Sequence, residues 1–171
     1  MKLLFISLGC DKNLVDSEEM LGMLAADGHE IVDDEDEAEV IIVNTCCFIG
    51  DAKEESVNTI LEMAEKKKAG TCKVLIVTGC MAQRYKKEIS EEIPEVDAIL
   101  GTTSYGDISK AVNEAQAGRH FEEYKSIDFL PDISGKRMLT TGGHFASLKI
   151  ADGCDKHCTS CIIPRLRGRY R

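Results

Sequence analysis

The sequence predicts an α/β fold, a doubly wound parallel five-stranded sheet, on three observations. Five short apolar runs recur along the first hundred residues, and they lack the strict alternation of a half-exposed strand. Between them lie stretches whose apolar residues return every three or four positions, the period of a helix with one buried face. The two kinds of segment alternate, so each helix closes a crossover between parallel strands. Right-handed crossovers then cover both faces of a single sheet.

LLFISL at 3–8 is the first strand. Asn13 is placed to cap the helix that follows, and Asp16 sits where a carboxylate meets free backbone amides. Leu14, Leu21, Leu24 and Ala25 form its apolar stripe, which Gly28 ends. EIV at 30–32 reads as the second strand and VIIVN at 40–44 as the third. The next helix opens on a capping pair, Asp51 with Glu54, and faces Val57, Ile60, Leu61 and Ala64 inward. Lys66, Lys67 and Lys68 lie where the helix dipole favours cations, before Gly70. VLIVT at 74–78 is the fourth strand, followed by a short helix over 82–91, and DAIL at 97–100 is the fifth. A last helix over 105–117 buries Ile108, Ala111, Val112 and Ala115.

These elements make residues 1–118 one domain. Residues 119–145 are aperiodic, contain Pro131, Gly135, Gly142 and Gly143, and read as a linker. ASLKIA at 146–151 is a sixth strand-like run leading straight into a cysteine-rich loop, so 146–171 reads as the start of a truncated second domain. Its last 25 or so residues are expected to be loosely ordered, because a lone strand leaves backbone groups unpaired.

The 171 residues carry a formal charge of −9, with an acidic run DDEDEAE at 33–39, which argues against direct nucleic-acid binding. The exception is the terminal RLRGRYR, whose four arginines are either a solvated tail or a contact for an anionic group. The start, MKLLFISLGC, lacks the pattern of a signal peptide, and no apolar run is long enough to span a membrane. The chain therefore reads as soluble and cytoplasmic, with no membrane partner. Eight cysteines in a reducing compartment point to metal or sulfur chemistry rather than disulfides.

Cys10, Cys46 and Cys80 follow the first, third and fourth strands. In the order 2-1-3-4-5 those strands are neighbours, and their carboxyl ends open on one crevice. Strands about 4.8 Å apart place three such thiolates within roughly 10 Å, a span that one iron–sulfur cluster can close. Gly9 and Gly79 precede two of these cysteines and allow tight turns; Asn44 and Thr45 precede the third and can bond a local turn. The plain alternative is three core cysteines that happen to end strands. Zinc competes but wants a fourth ligand, and Cys47, next to Cys46, points the opposite way on an extended segment. Cys72 falls at the other end of the sheet and reads as structural or free.

Cys154, Cys158 and Cys161 have the spacing CxxxCxxC on a loop after a strand-like run. A zinc ion there needs His157 or His144 as well, whereas a [4Fe-4S] cluster held by three thiolates keeps one iron open for substrate or cofactor.

With CDKHCTSC, CIIPRLRG, SLGCDKNLVDSE, VNTCCFI and TGCMAQRY in view, the chain resembles the radical S-adenosylmethionine methylthiotransferases over essentially its whole length. SLGCDKNLVDSE looks most like the branch that methylthiolates the β-carbon of an aspartate in a small-subunit ribosomal protein; the tRNA adenosine branch is the alternative. The resemblance implies that Cys10, Cys46 and Cys80 hold an auxiliary [4Fe-4S] cluster used in sulfur delivery. It implies that Cys154, Cys158 and Cys161 hold the radical cluster that binds S-adenosyl-L-methionine, with no catalytic side chain beyond these ligands. It also implies an electron-donor protein and the ribosomal protein as partners. Two departures stand out: Ser160 where the family usually has an aromatic residue, and an end at Arg171 before the expected barrel, so that the chain alone is expected to be inactive. A non-catalytic iron–sulfur or zinc binding module is the reading from outside the enzymes.

Overall fold

The computed structural model describes residues 1–130, 137–156 and 158–171; Pro131 and Gly135 of the expected linker, and His157, lie outside them. Its strands are β1 (Lys2–Ser7), β2 (Glu30–Ile31), β3 (Val40–Thr45), β4 (Val74–Gly79), β5 (Ala98–Leu100) and β6 (Phe121–Glu123). They form one parallel sheet in the order β2-β1-β3-β4-β5-β6. The helices are α1 (Asp11–Ala26), α2 (Gly50–Lys68), α3 (Cys80–Arg84), α4 (Lys86–Glu92), α5 (Ile108–Gln116) and α6 (Ile163–Arg167).

Side chains alternate along each strand, so the sheet has two cores. On one face Leu4, Ile41, Val43, Leu75, Val77 and Ile99 pack with Ile60, Met63 and Ala64 of α2 and with Met81 and Ile89 of α3 and α4. On the other, Leu3, Ile42, Ile76 and Leu100 pack with Met20 and Leu24 of α1 and with Ile108, Ala111, Val112 and Ala115 of α5. The expected doubly wound arrangement is therefore present, with the expected strand order.

Four expectations need correction. The sheet has six strands: β6 lies within the stretch read as linker and pairs Phe121 with Ala98, and three residues at a sheet edge are too few to show a period. ASLKIA forms no strand; Leu148 and Ile150 are 79% and 86% exposed while Lys149 turns inward to Asp16 and Tyr105. The expected loose end is instead a closed loop. Asp152 and Arg171 exchange backbone hydrogen bonds of 2.9 and 3.0 Å, Cys154 N–H donates to Gly168 at 3.1 Å, and Leu166 is buried in the first core. Finally, neither expected helix cap is used: α1 starts after Cys10 and α2 after Ile49, both without a side-chain cap.

The buried stripe of α1 is also broader and more polar than its leucines suggest. It includes Asn13, Asp16, Ser17 and Glu18, while Ala25 is exposed. In α2, Met63 is buried and Leu61 is exposed. Among the described residues no helix is long and apolar enough to cross a membrane.

Candidate functional site

Adjacency of β1, β3 and β4 brings Cys10, Cys46 and Cys80 to one end of the sheet. All three line one cavity of about 1070 Å³, whose wall also includes Gly9, Phe48, Ile163 and Arg167. Cys10 is exposed, whereas Cys46 and Cys80 are buried. Cys72 is buried at the opposite end of β4, where its thiol donates to Val74 O at 3.0 Å.

The loops that carry the three cysteines are tied by polar side chains. Asn13 Nδ2 donates to Leu8 O at 3.0 Å and to Thr45 O at 2.9 Å, joining the Cys10 turn to the Cys46 turn. Asn44 Nδ2 donates to Asn13 O and to Ser17 Oγ. Thr45 Oγ1 donates to Thr78 O at 2.5 Å, joining the Cys46 turn to the Cys80 turn. Ser56 Oγ accepts from Cys46 N–H at 3.0 Å and donates to Cys46 O at 2.8 Å. A buried network with each member satisfied in this way fixes geometry more than it adds net stability.

Two glycines make the close approach possible. Gly9 and Gly79 have φ of +93° and +94°. A Cβ on Gly9 would lie 2.5 Å from Cys46 Cβ, and one on Gly79 would lie 2.3 Å from Asn44 Oδ1 and 2.5 Å from Thr45 O. Both positions demand glycine for backbone conformation and for space alike.

Burial pushes the Cys80 thiol up to about 12, against the opposing pull of the nearby Arg167 guanidinium, and the thiol donates to Asn13 Oδ1 at 3.9 Å. Burial likewise raises the Cys47 thiol, which Arg84 partly offsets. Cys47 packs in the first core and does not line the cavity.

The terminal cysteines are less enclosed. Cys158 and Cys161 line a second hollow of about 500 Å³ with Ser160, Pro164 and Arg165, and Cys161 N–H donates to Cys158 O at 3.2 Å. Cys154 is half-buried outside that lining, and its sulfur accepts from Lys156 N–H at 3.4 Å.

Among the described residues no three His, Cys, Asp or Glu side chains gather closely enough to hold a metal ion. The three strand-end thiols border a shared cavity without meeting at a point. Soft sulfur donors around such a space, with Gly9 letting its turn pack directly against Cys46, fit a polynuclear iron–sulfur group.

Of the two readings of the terminal arginines, Arg167 takes the contact with anionic groups, but sequence reasoning missed its partner Asp152 and the true roles of Asn13 and Asp16. Arg167 is 4% exposed; its Nη2 donates to Asn13 Oδ1 at 2.6 Å and to Asp16 Oδ2 at 2.8 Å, and its Nη1 faces Asp152 Oδ1 at 3.3 Å. One signal was present: Asn13, Asp16 and Ser17 recur at helical spacing on a face that also carries aliphatic residues.

The family described as "Uncharacterized protein family UPF0004" matches residues 2–101. The "Ribosomal protein uS12 methylthiotransferase RimO" of Lachnoclostridium phytofermentans is 62% identical over 171 residues, covering 100% of this chain and 39% of the relative. The protein of the same name from Clostridioides difficile is 50% identical over 171 residues, covering 100% and 38%. That from a Thermoanaerobacter species is 49% identical over 166 residues, covering 97% and 38%. The chain thus spans about two fifths of the length of these curated relatives.

Proposed function

The chain belongs to the UPF0004 family, and we propose that it supplies the cluster-binding part of an enzyme that adds a methylthio group to the β-carbon of an aspartate in ribosomal protein uS12. The observation that carries this reading is the meeting of Cys10, Cys46 and Cys80, from three separate turns, on one cavity. The names of the relatives support methylthio transfer and ribosomal protein uS12 as its substrate.

In this reading Cys10, Cys46 and Cys80 hold an auxiliary [4Fe-4S] cluster, and Cys154, Cys158 and Cys161 hold a second, at which S-adenosyl-L-methionine binds. When bound, these cofactors would supply the one-electron chemistry that breaks an unactivated C–H bond, the sulfur that replaces the hydrogen and, from a second S-adenosyl-L-methionine, the methyl group, work that no acid or base side chain performs. The chain's own residues orient and enclose. Asn13, Thr45 and Ser56 fix the three cysteine turns, and Phe48 and Ile163 give the cavity apolar walls. In this reading the domain limits are 1–118 for the sheet, 119–145 for a connection that also lends the sheet its β6 strand, and 146–171 for the second cysteine loop. The partners proposed are uS12 and an electron-donor protein in the cytoplasm.

Anaerobic reconstitution tests the ligand assignment. We expect about eight irons and eight sulfides per chain, falling to about four of each when Cys10, Cys46 and Cys80 are replaced by Ala together. Zinc without sulfide would sink it. Within the whole enzyme, a methylthio mass gain on uS12 is expected, and a gain on tRNA in its place would move the reading to the adenosine branch.

A further inference from the structure

We propose that Arg167 is a positioning residue that clamps the terminal cysteine loop, residues 152–156 and 158–171, over the cavity lined by Cys10, Cys46 and Cys80. The loop that carries the second cysteine set then supplies one wall of that cavity. The inference concerns the metal-free chain and holds whatever reaction the site serves.

The clamp has two ends. One side of the guanidinium reaches Asn13 and Asp16, in the first turns of the helix that begins after Cys10. The other faces both oxygens of Asp152, at 3.3 and 3.4 Å, two residues before Cys154. A single side chain therefore touches the supports of both cysteine groups. Only a planar fork with several donors spans them; a lysine offers one point charge.

Neighbouring contacts put the guanidinium where the loop enters the sheet domain. Thr102 Oγ1 donates to Leu166 O at 2.6 Å, and the Leu166 side chain packs in the core that also holds Cys80 and Met81. Lys149 gives Asp16 a second cation, so the carboxylate is shared between the two arms of the terminal segment. Ile163, Leu166 and Arg167 form the part of the cavity wall that comes from this loop, and the Asn13 Oδ1 that accepts from Arg167 also accepts from the Cys80 thiol at 3.9 Å. Removing the fork detaches this wall and leaves the rest of the cavity in place.

The test is alkylation of the reduced, metal-free 171-residue chain by iodoacetamide at neutral pH, resolved cysteine by cysteine by mass spectrometry. Cys72, buried at the far end of the sheet, reports global opening. Arg167→Met is expected to speed labelling of Cys80 by about tenfold or more, the signature of local rather than global opening, with Cys72 unchanged. Arg167→Lys keeps a charge for Asp16 and decides the matter if Arg167→Met does not fold; it should speed Cys80 less, but measurably. An unchanged Cys80 rate in both variants overturns the clamp. Equal acceleration of Cys72 and Cys80 overturns it too, because Arg167 would then hold up the whole domain.

Discussion

Every residue of β3 and β4 is buried, and these strands are held by aliphatic packing and ladder hydrogen bonds. Residues 137–156 and 158–171 reach the same domain through charged side chains, Arg137 on Glu18, Lys149 on Asp16, Arg167 on Asp16 and Asp152, joined by one buried apolar anchor, Leu166. Apolar burial is non-directional and scales with area, so it gives the sheet its stability. Buried ion pairs lose much of their Coulomb gain to desolvation, but they accept only one geometry. The contrast teaches that the sheet is held strongly, while the terminal segment is held in a defined place.

The largest effect should come from the sheet. Ile76 is fully buried at the centre of the second core, and Ile76→Ala is expected to cost about 2–5 kcal/mol in urea unfolding, from lost transfer energy plus the cavity left behind. A cost below about 1 kcal/mol would mean that the core relaxes into the gap, and would break the contrast.

A smaller and more local effect is expected at Glu18. Its buried carboxylate accepts from Arg137 Nε at 2.7 Å, Thr140 N at 2.7 Å and Thr140 Oγ1 at 2.9 Å. Burial alone would raise this carboxyl, but those hydrogen bonds outweigh it and hold it below the ordinary range. The unfolded group therefore binds protons more readily than the folded one. Its contribution is present above the ordinary carboxylate value and is lost as pH falls through the lowered one. Burial pushes neighbouring Glu19 the other way, so Glu19 cannot account for a loss in acid. Amide protection over 137–147 should fall below about pH 4.5, and Glu18→Gln should reproduce that loss at neutral pH by about 1–3 kcal/mol. Sheet amides that exchanged in step with 137–147 would show one cooperative unit in place of two.

The sequence made the sheet legible because aliphatic runs and helical periods are local signals. Five strands and the inner face of α5 were readable from spacing, while the strand order rested on the strand-end cysteines as much as on the alternation of elements. That order and the meeting of Cys10, Cys46 and Cys80 were a single expectation, since three neighbouring strands must open on one edge. What escaped is non-local and charged. Arg167 lies 151 residues from Asp16 and 154 from Asn13, and nothing around RLRGRYR names its partners. Asn13 and Asp16 have the composition of a helix start, yet the loop that packs against them turns both into anchors. ASLKIA carries the strand pattern, but neighbouring backbone decides whether a strand forms, and here Lys149 has a better partner in Asp16.

The smallest effect is the sharpest test of the contrast. Leu148 and Ile150 are apolar, strand-like and almost fully exposed, while Ser147 and Lys149 between and before them face the protein. Lys149 Nζ sits over the Tyr105 ring, 5.1 Å from its centroid, and pairs with Asp16. If this segment were held by burial, replacing both apolar residues by Ser would cost about 1.5–3 kcal/mol for each side chain. Held by Lys149 instead, the double variant Leu148→Ser, Ile150→Ser should unfold in urea within about 0.5 kcal/mol of the parent, as surface changes do. A loss greater than about 1 kcal/mol would place these two side chains against an apolar surface in solution. Residues 146–151 would then belong with the sheet's mode of stabilisation and not with that of the charged loop.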